Sequence, residues 1–346
     1  MNPVFGFLLA VLAGGLNGSF ALPMKRTTRW AWENTWLVYS IVGMVVVNWM
    51  VASQTVPGLA AVYARAGPGV LAMVLVFGSI WGIANLLFGL GIDLVGISLT
   101  FPICIGLSTA LGSLIPMARR PEVFSTPAGM ATTLGVAVIL AGVLVCAVAG
   151  IQKEAQEAQA AAANPGAGTA SRRRLARGLL VVVLAGLFDP MLNFAFVFGD
   201  RIKEEAVSLG ASGGAEADAI WTLALLGSFL VNAAYCGLLL WRNATWPRYW
   251  QKATLGHWWL AALMGLIWML SITLYGRGAA MMGKMGGSIG WAVFYGCIIL
   301  SSSFWGILSG EWRGGQGRPL RTMAAGLGVL LAAVIILGYA NALPTE

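Results

Sequence analysis

The sequence predicts an all-α integral membrane protein with ten transmembrane helices arranged as two inverted five-helix repeats. Three observations predict it. The 346 residues hold only 21 Lys+Arg and 13 Asp+Glu, 10% of the chain, where a soluble protein carries about 25%. Hydrophobic residues make up 58% and come in long unbroken runs, which excludes a soluble enzyme, a disordered chain, a disulfide scaffold and a transmembrane β-barrel of short alternating segments. Similar words recur in the same order in the two halves of the chain.

A span needs about 20 mostly apolar residues. Ten such runs are legible, at 4–23, 35–53, 69–91, 94–117, 129–150, 176–198, 219–241, 257–276, 288–309 and 320–341. The first has no Lys or Arg before Lys25, so it lacks the basic start of a cleavable signal peptide and reads as a retained helix. The break between the third and fourth rests on Asp93 and its flanking glycines. The fourth carries Pro102 and the sixth Pro190, both expected helix breaks. Between the fifth and sixth, residues 151–174 are Ala/Gln/Gly-rich and polar, and read as a flexible cytoplasmic linker. The linker separates a first repeat, 1–150, from a second, 175–346.

The net charge of +8 reports orientation and not a nucleic-acid partner. Fourteen of the 21 basic residues fall on the connections after odd-numbered spans and seven on the opposite side. Basic loops stay in the cytoplasm, so both termini are expected on the non-cytoplasmic side of a cell (inner) membrane.

The internal echo has three parts. Val11 to Asn17 in the first span resembles Val183 to Asp189 in the sixth. Gly78 to Gly91 in the third resembles Gly265 to Gly278 in the eighth, with Trp81 matching Trp268. Leu134 to Val136 in the fifth matches Leu327 to Val329 in the tenth. Each pair is five spans apart. Because five is odd, the second half must cross the membrane in the opposite sense, the inverted-repeat design of many secondary transporters.

Ionisable residues inside hydrocarbon are costly and mark function. Asp189 sits near the middle of the sixth span, followed by Pro190, with Asn193 one turn on. A helix-centre Asp costs about 2.5–3.5 kcal/mol on insertion scales, so Asp189 is read as the proton-coupling residue, against the plainer reading of a hydrogen-bonded residue at a kink. Asn17 takes its place in the echo. Trp81 and Trp268 lie too deep for interface anchoring, and their rings suit the apolar face of a sugar. Asn85, Asn193, Asn232, Ser271 and Tyr275 complete the substrate-binding candidates, and Ser108 and Thr109 are further polar groups in the fourth span. Lys25, Glu33 and Glu311, at cytoplasmic span ends, are candidates for a gate or an interface. Lys284 and Arg277 are expected to snorkel, and His257, the only His, to be a satisfied interfacial residue.

No catalytic or metal pattern is present. GxSxG occurs around Ser212 and Ser288 without a preceding strand. The run ending at Gly283 and Lys284 fails as a P-loop at Met285. Cys104, Cys146, Cys236 and Cys297 lie in apolar runs and read as small core residues. No cofactor, metal or nucleic acid is expected; the expected partners are the bilayer, a small molecule and a coupling ion.

Pro23 to Trp36, with Lys25, Trp30, Trp32 and Glu33, resembles the stretch after the first helix in L-rhamnose–proton symporters of the drug/metabolite transporter superfamily. Trp81-Gly82-Ile83 with Asn85 and Gly89, Gly96 to Ser98, Gly106-Leu107, Gly112 to Pro116, Asn232 to Cys236, Trp268 with Tyr275 to Gly278, and Gly310 to Trp312 also fit. The resemblance covers nearly the whole chain. It implies ten helices in two inverted repeats and proton-driven uptake of a deoxy sugar, with L-rhamnose the best match and a proton and a sugar as partners. Two positions depart from it. Family members carry small or hydroxyl residues where this chain has Asp189-Pro190, and a longer Gln is common at Ser271. Another permease activity, including export of a small metabolite, and a non-transporting receptor or scaffold are the competing readings.

Overall fold

The structure, a computed structural model, describes residues 2–95, 97–162, 172–309, 312 and 317–344. At 92, 93, 95, 97–99, 101, 102, 154, 157–162 and 172–175 it describes the backbone alone. Glu311 lies outside the described residues.

The secondary structure of the described residues is helical. Helix α1 (Pro3–Asn17) starts at Asn2, whose side chain accepts the backbone N–H groups of Val4 and Phe5, with Pro3 at the first helical position. Both are favoured helix starts. The second span is built from α2 (Trp32–Ser40), a π-helical segment (Ile41–Val47) and α3 (Asn48–Thr55). A short α4 (Leu59–Ala66) leads to α5 (Pro68–Val95), and α6 (Ile97–Ala118) follows. Helix α5 runs through Asp93 to Val95, so the break is not at Asp93 as expected.

Helix α7 (Pro127–Ala162) extends past the fifth span and makes the first half of the expected linker helical. The sixth span is three helices, α8 (Arg172–Phe188), α9 (Met191–Phe198) and α10 (Asp200–Ser208). Long helices α11 (Glu216–Arg242), α12 (Leu255–Met281), α13 (Gly286–Leu308) and α14 (Arg318–Ala342) complete the chain. Among the described residues, nine segments are long and apolar enough to cross a membrane, and Ile103–Ala118 in α6 is a shorter apolar helix. Leu8, Leu134, Leu144, Leu180 and Ile335 are exposed on the outside of the bundle, where lipid would meet them. This is a multi-pass membrane protein.

Helix pairing follows a reciprocal pattern. Helix α1 packs on α12 and α13, and α8 packs on α5 and α6. Helix α11 packs on α5, and the second span packs on α12. Helix α7 pairs with α14, and α6 with α13. The echoed glycines sit at these crossings. A Cβ at Gly78 would collide with the Ala224 carbonyl of α11, and one at Gly265 would lie 2.8 Å from the Gly43 nitrogen in the second span. A Cβ at Gly91 would lie 2.6 Å from Val182 of α8, and one at Gly278 would lie 2.6 Å from the Gly6 carbonyl of α1. Small residues let backbones approach in lipid.

The two ends of the bundle differ. Asn341 Nδ2 donates to the Pro3 carbonyl at 3.0 Å, and the Ala128 N–H to the Pro344 carbonyl at 3.4 Å. Both termini therefore meet at one end, here called the terminal face. Lys25, Glu33 and the far end of α7 lie at the other, the linker face.

Candidate functional site

The site begins with a helix break. Pro190 has no N–H to donate, so α8 ends at Phe188 and α9 restarts at Met191. The Asp189 N–H still reaches the Ala185 carbonyl at 2.9 Å, and the Phe194 N–H bonds the Pro190 carbonyl at 3.0 Å. The break leaves the Asp189 side chain projecting from a turn inside the bundle, half-buried.

Three donors from three helices converge on it. Trp81 Nε1 of α5 donates to Oδ1 at 3.2 Å. Ser108 Oγ of α6 donates to Oδ2 at 2.5 Å, and the Tyr295 hydroxyl of α13 bonds the same oxygen. Hydrogen bonds to an ionised group are roughly twice as strong as neutral ones, and three of them give Asp189 a fixed seat. The cage also keeps the carboxyl within one bond of two hydroxyls.

Trp81 connects the carboxylate to an aromatic column. Its ring stacks on Trp268 at 5.8 Å and 21°. Trp268 meets Tyr39 edge-on at 5.7 Å, Tyr39 meets Trp36 at 4.9 Å, and Trp36 stacks on Trp32 at 4.9 Å. The column runs from Trp32 at the linker face to the buried pair of Trp81 (7% exposed) and Trp268 (3%). The echo thus pairs two rings that touch each other.

The remaining candidates divide by whether their polar atoms are already bonded. Asn193 is fully buried; its Nδ2 donates to the Gly112 and Gly287 carbonyls at 2.8 Å each, and its Oδ1 accepts from the Tyr275 hydroxyl at 2.5 Å. One side chain thereby ties α6, α9, α12 and α13 together. Asn232 accepts from Trp36 Nε1 at 2.9 Å and donates to the Ser228 carbonyl at 2.9 Å. Asn17 Nδ2 donates to Ser271 Oγ at 2.9 Å, and Ser271 donates to the Trp268 carbonyl at 2.6 Å. Asn85, one turn from Trp81 on α5, is half-exposed.

At the linker face, Lys25 Nζ reaches Ser309 Oγ at 2.8 Å, joining the turn after α1 to the end of α13. Glu33 is buried and accepts from Thr245 Oγ1 at 2.8 Å and Asn243 Nδ2 at 3.1 Å, joining the start of α2 to the turn after α11. His257 packs edge-on to Trp30 at 5.7 Å, and its Nε2 has no hydrogen-bond partner, so the expectation of a satisfied residue fails. Arg277 does not snorkel. It forms an ion pair at 2.7 Å with Asp218, which is buried in the first turn of α11 and also accepts from Thr55 at 2.7 Å. The seventh span starts earlier than its hydropathy suggests, and so brings Asp218 inside. All four cysteines are free, and three are buried.

Two cavities flank the site. One, of about 1050 Å³, opens at the terminal face and is lined by Pro116 and Met117 of α6, by Gly287 and Ser288 of α13, and by parts of α9, α10 and α12. The other, of about 370 Å³, lies toward the linker face and is lined by Ile105 of α6, Cys146 of α7, Ile299 and Trp305 of α13, and Lys25. Helices α6 and α13 line both. Between Met117 and Ile105 on α6 lie Gly112, which holds Asn193, and Ser108, which holds Asp189. Between Gly287 and Ile299 on α13 lies Tyr295. At about 1.5 Å of rise per residue, Asp189 is held roughly 5 Å from the end of one cavity, with the Asn193 layer closing it from the other.

Tyr295, Tyr39 and the Asp218–Arg277 pair were not legible as site or frame residues in the sequence. A signal for Tyr295 did exist. A Tyr in the middle of a span carries a hydroxyl that needs a partner in hydrocarbon, and the deepest unexplained acceptor was Asp189.

The family profile described as "L-rhamnose-proton symport protein (RhaT)" matches residues 2–343. A protein from Mannheimia succiniciproducens named "L-rhamnose-proton symporter" is 29% identical over 335 residues, 93% of this chain and 94% of its own length. Proteins of the same name from Yersinia pestis and Yersinia pseudotuberculosis are each 27% identical over 348 residues, 98% of both chains. With a cage of donors around a mid-membrane carboxyl and a match that runs the length of the sequence, the chain belongs to the L-rhamnose-proton symport protein family.

Proposed function

We propose that the chain is a secondary active transporter of the inner membrane that takes up L-rhamnose together with protons. The observation that carries this reading is the seat of Asp189 between two cavities that open at opposite faces, on helices that line both. A carboxyl there can exchange a proton with one side and then the other if the barrier moves. A scaffold has no use for the arrangement, and the relatives named above are symporters.

The roles divide by chemistry. Asp189 takes and releases the proton, and Trp81, Ser108 and Tyr295 hold its ionised form. Protonation cancels the charge those donors attract, which changes the relative stability of the two arrangements of α6 and α13. A ligand or proton drives a conformational change only through such a difference. Trp81 and Trp268 offer the ring faces for the sugar, and Asn85 a polar partner for its hydroxyls. Asn17, Asn193, Asn232, Ser271 and Tyr275 act on the frame that holds these groups. Lys25 and Glu33 belong to the linker-face gate; Glu311 is a gate or interface candidate from the sequence alone.

We read the architecture as ten spans in two inverted repeats, 1–150 and 175–346, joined by a cytoplasmic linker at 151–174. The termini meet at one face, so the number of crossings is even, which supports counting α6 as the tenth. The reciprocal helix pairing and the matched roles of Gly78 with Gly265 and Gly91 with Gly278 support the repeat. The charge bias supports a non-cytoplasmic terminal face.

The test is uptake of labelled L-rhamnose by the purified chain in proteoliposomes under an imposed pH gradient, with a panel of competing sugars. Uptake that collapses with the gradient and is blocked by unlabelled L-rhamnose is expected. A rate no higher than in protein-free vesicles overturns the reading.

A further inference from the structure

Close backbone crossings at glycines sort the spans into two sets. A Cβ at Gly43 of the second span would lie 3.0 Å from the Gly265 carbonyl of α12, and one at Gly14 of α1 would lie 2.5 Å from the Phe294 carbonyl of α13. With the Gly278 crossing of α12 on α1, these join α1, the second span, α12 and α13. A Cβ at Gly227 of α11 would lie 2.3 Å from the Leu75 carbonyl of α5, and one at Gly186 of α8 would lie 3.0 Å from the Cys104 Cα of α6. With the Gly91 crossing of α5 on α8, these join α5, α6, α8 and α11. Backbones this close cannot part without losing packing along both helices. Where the second span faces α11, one from each set, the hydrogen bonds come from side chains, which can exchange a partner for water.

The two ends of this line carry matching groups. At the linker face, Glu33 in the first turn of α2 accepts from Thr245 at 2.8 Å and Asn243 at 3.1 Å, just past the end of α11. At the terminal face, Asp218 in the first turn of α11 accepts from Thr55, the last residue of α3, at 2.7 Å, and pairs with Arg277 of α12 at 2.7 Å. Each is a buried carboxylate, Glu33 4% and Asp218 1% exposed. Each stands at the start of one span and bonds a threonine at the end of the other. The two spans are five apart, as the proposed repeat requires. Between the ends, Trp36 Nε1 donates to Asn232 Oδ1 and Asn48 Nδ2 to the Trp221 carbonyl, both at 2.9 Å. Neither carboxylate lines either of the two cavities, so neither is placed to meet a solute there.

We infer that Asp218, with Thr55 and Arg277, is the latch of the terminal-face gate, the counterpart of Glu33 at the linker face, and that the two latches open in turn. The inference rests on the transport reading above and adds the second gate to it. Rocking one set of helices against the other parts the second span and α11 at one face and presses them together at the opposite face. One latch then breaks while the other holds. Thr55 and Arg277 belong to one set and Asp218 to the other; Glu33 and its partners after α11 are divided in the same way. Hydrogen bonds to an ionised group are the strong kind, so each latch weights the balance between the two open states.

The experiment uses the full chain in proteoliposomes and a small, neutral, membrane-permeant thiol reagent. With Cys104, Cys236 and Cys297 replaced by Ala, Cys146 reports the linker-face cavity; Met117→Cys in a version that also lacks Cys146 reports the terminal-face cavity. Asp218→Asn removes the charge that holds Arg277. It should raise the ratio of the rate at position 117 to the rate at Cys146 about tenfold, the effect of losing one hydrogen bond to a charged group. Glu33→Gln should lower the same ratio by a similar factor. Loss of a residue that merely holds the fold would speed both reactions together. If either variant fails to insert, Thr55→Val and Thr245→Val each remove one donor and are read in the same two directions. Counterflow of labelled L-rhamnose by the wild type is measured in the same vesicles. With counterflow present, a ratio that stays within about twofold of the wild type, or that moves the same way in both variants, overturns the latches and leaves the transport reading intact. Absence of wild-type counterflow overturns the transport reading and this inference with it.

Discussion

Asp189 keeps its place only because three side chains from distant parts of the chain reach it, and each can be removed without emptying the site. Asp189→Asn keeps the shape and most of the acceptor capacity but cannot carry a proton. It should insert and fold normally, exchange L-rhamnose across the membrane down its gradient, and fail to accumulate it under a pH gradient. Accumulation by this variant with an unchanged pH profile would show that the proton travels elsewhere. Trp81 makes two separable contributions, a ring stacked on Trp268 and an Nε1 donor to Oδ1. Trp81→Phe keeps a ring and loses the donor, and a hydrogen bond to a charged group is worth about 1.5–3 kcal/mol. The proton-driven rate should fall about tenfold or more with little change in sugar affinity, whereas Trp81→Ala should weaken affinity as well. Equal affinity losses in both variants would mean that the donor, not the ring, meets the sugar. Asp189 was legible from sequence because a lone carboxylate stands out in an apolar run. Its partners were not, because Ser108 and Tyr295 are 81 and 106 residues away and nothing local marks a hydroxyl that will meet a carboxyl.

At the scale of elements, the Asn193 bridge ties α6, α9, α12 and α13 together at one point. It satisfies two helix carbonyls and a Tyr hydroxyl at once, in a layer where water is not at hand. Asn193→Leu leaves the Gly112 carbonyl, which Pro116 has no N–H to reach, and the Tyr275 hydroxyl unpaired, and each buried unsatisfied group costs about 1–3 kcal/mol. The purified variant should melt several degrees lower in detergent, and Tyr275→Phe, which removes only one donor, should fall in between. A Leu variant as stable as the wild type would mean that the bridge carries no stability and that Asn193 is free to serve the sugar. The sequence was good at long elements and poor at short ones for related reasons. Hydropathy finds helices that are apolar all round, so the long spans were visible. It cannot see the π-helical segment Ile41–Val47, the amphipathic helices α4 and α10, or an apolar helix that begins with charged residues, as α11 does at Glu216 and Asp218. The break at Asp189-Pro190 was visible because it follows from a missing N–H, which is a property of one residue.

Over the whole molecule, two cavities opening at opposite faces and sharing α6 and α13 make a mechanical statement: enlarging one by tilting these helices must compress the other. Packed cores deform between discrete arrangements and not continuously, so the two faces should open in turn. Native thiols allow this to be read directly. Cys146 lines the linker-face cavity and is half-buried, whereas Cys104, Cys236 and Cys297 are buried. In a variant with those three replaced by Ala, Cys146 reports the linker face. Met117→Cys, added to a version that also lacks Cys146, reports the terminal face, since Met117 lines that cavity and is 2% exposed. A small neutral thiol reagent should label the two positions in opposite senses. Conditions that speed reaction at Cys146, such as saturating L-rhamnose at low pH, should slow it at position 117 by a similar factor, because one equilibrium between two states governs both. If both rates rise together, the bundle loosens as a whole, and if neither responds, the barrier around Asp189 is fixed. Either result would remove the mechanical basis for coupling the carboxyl first to one side of the membrane and then to the other.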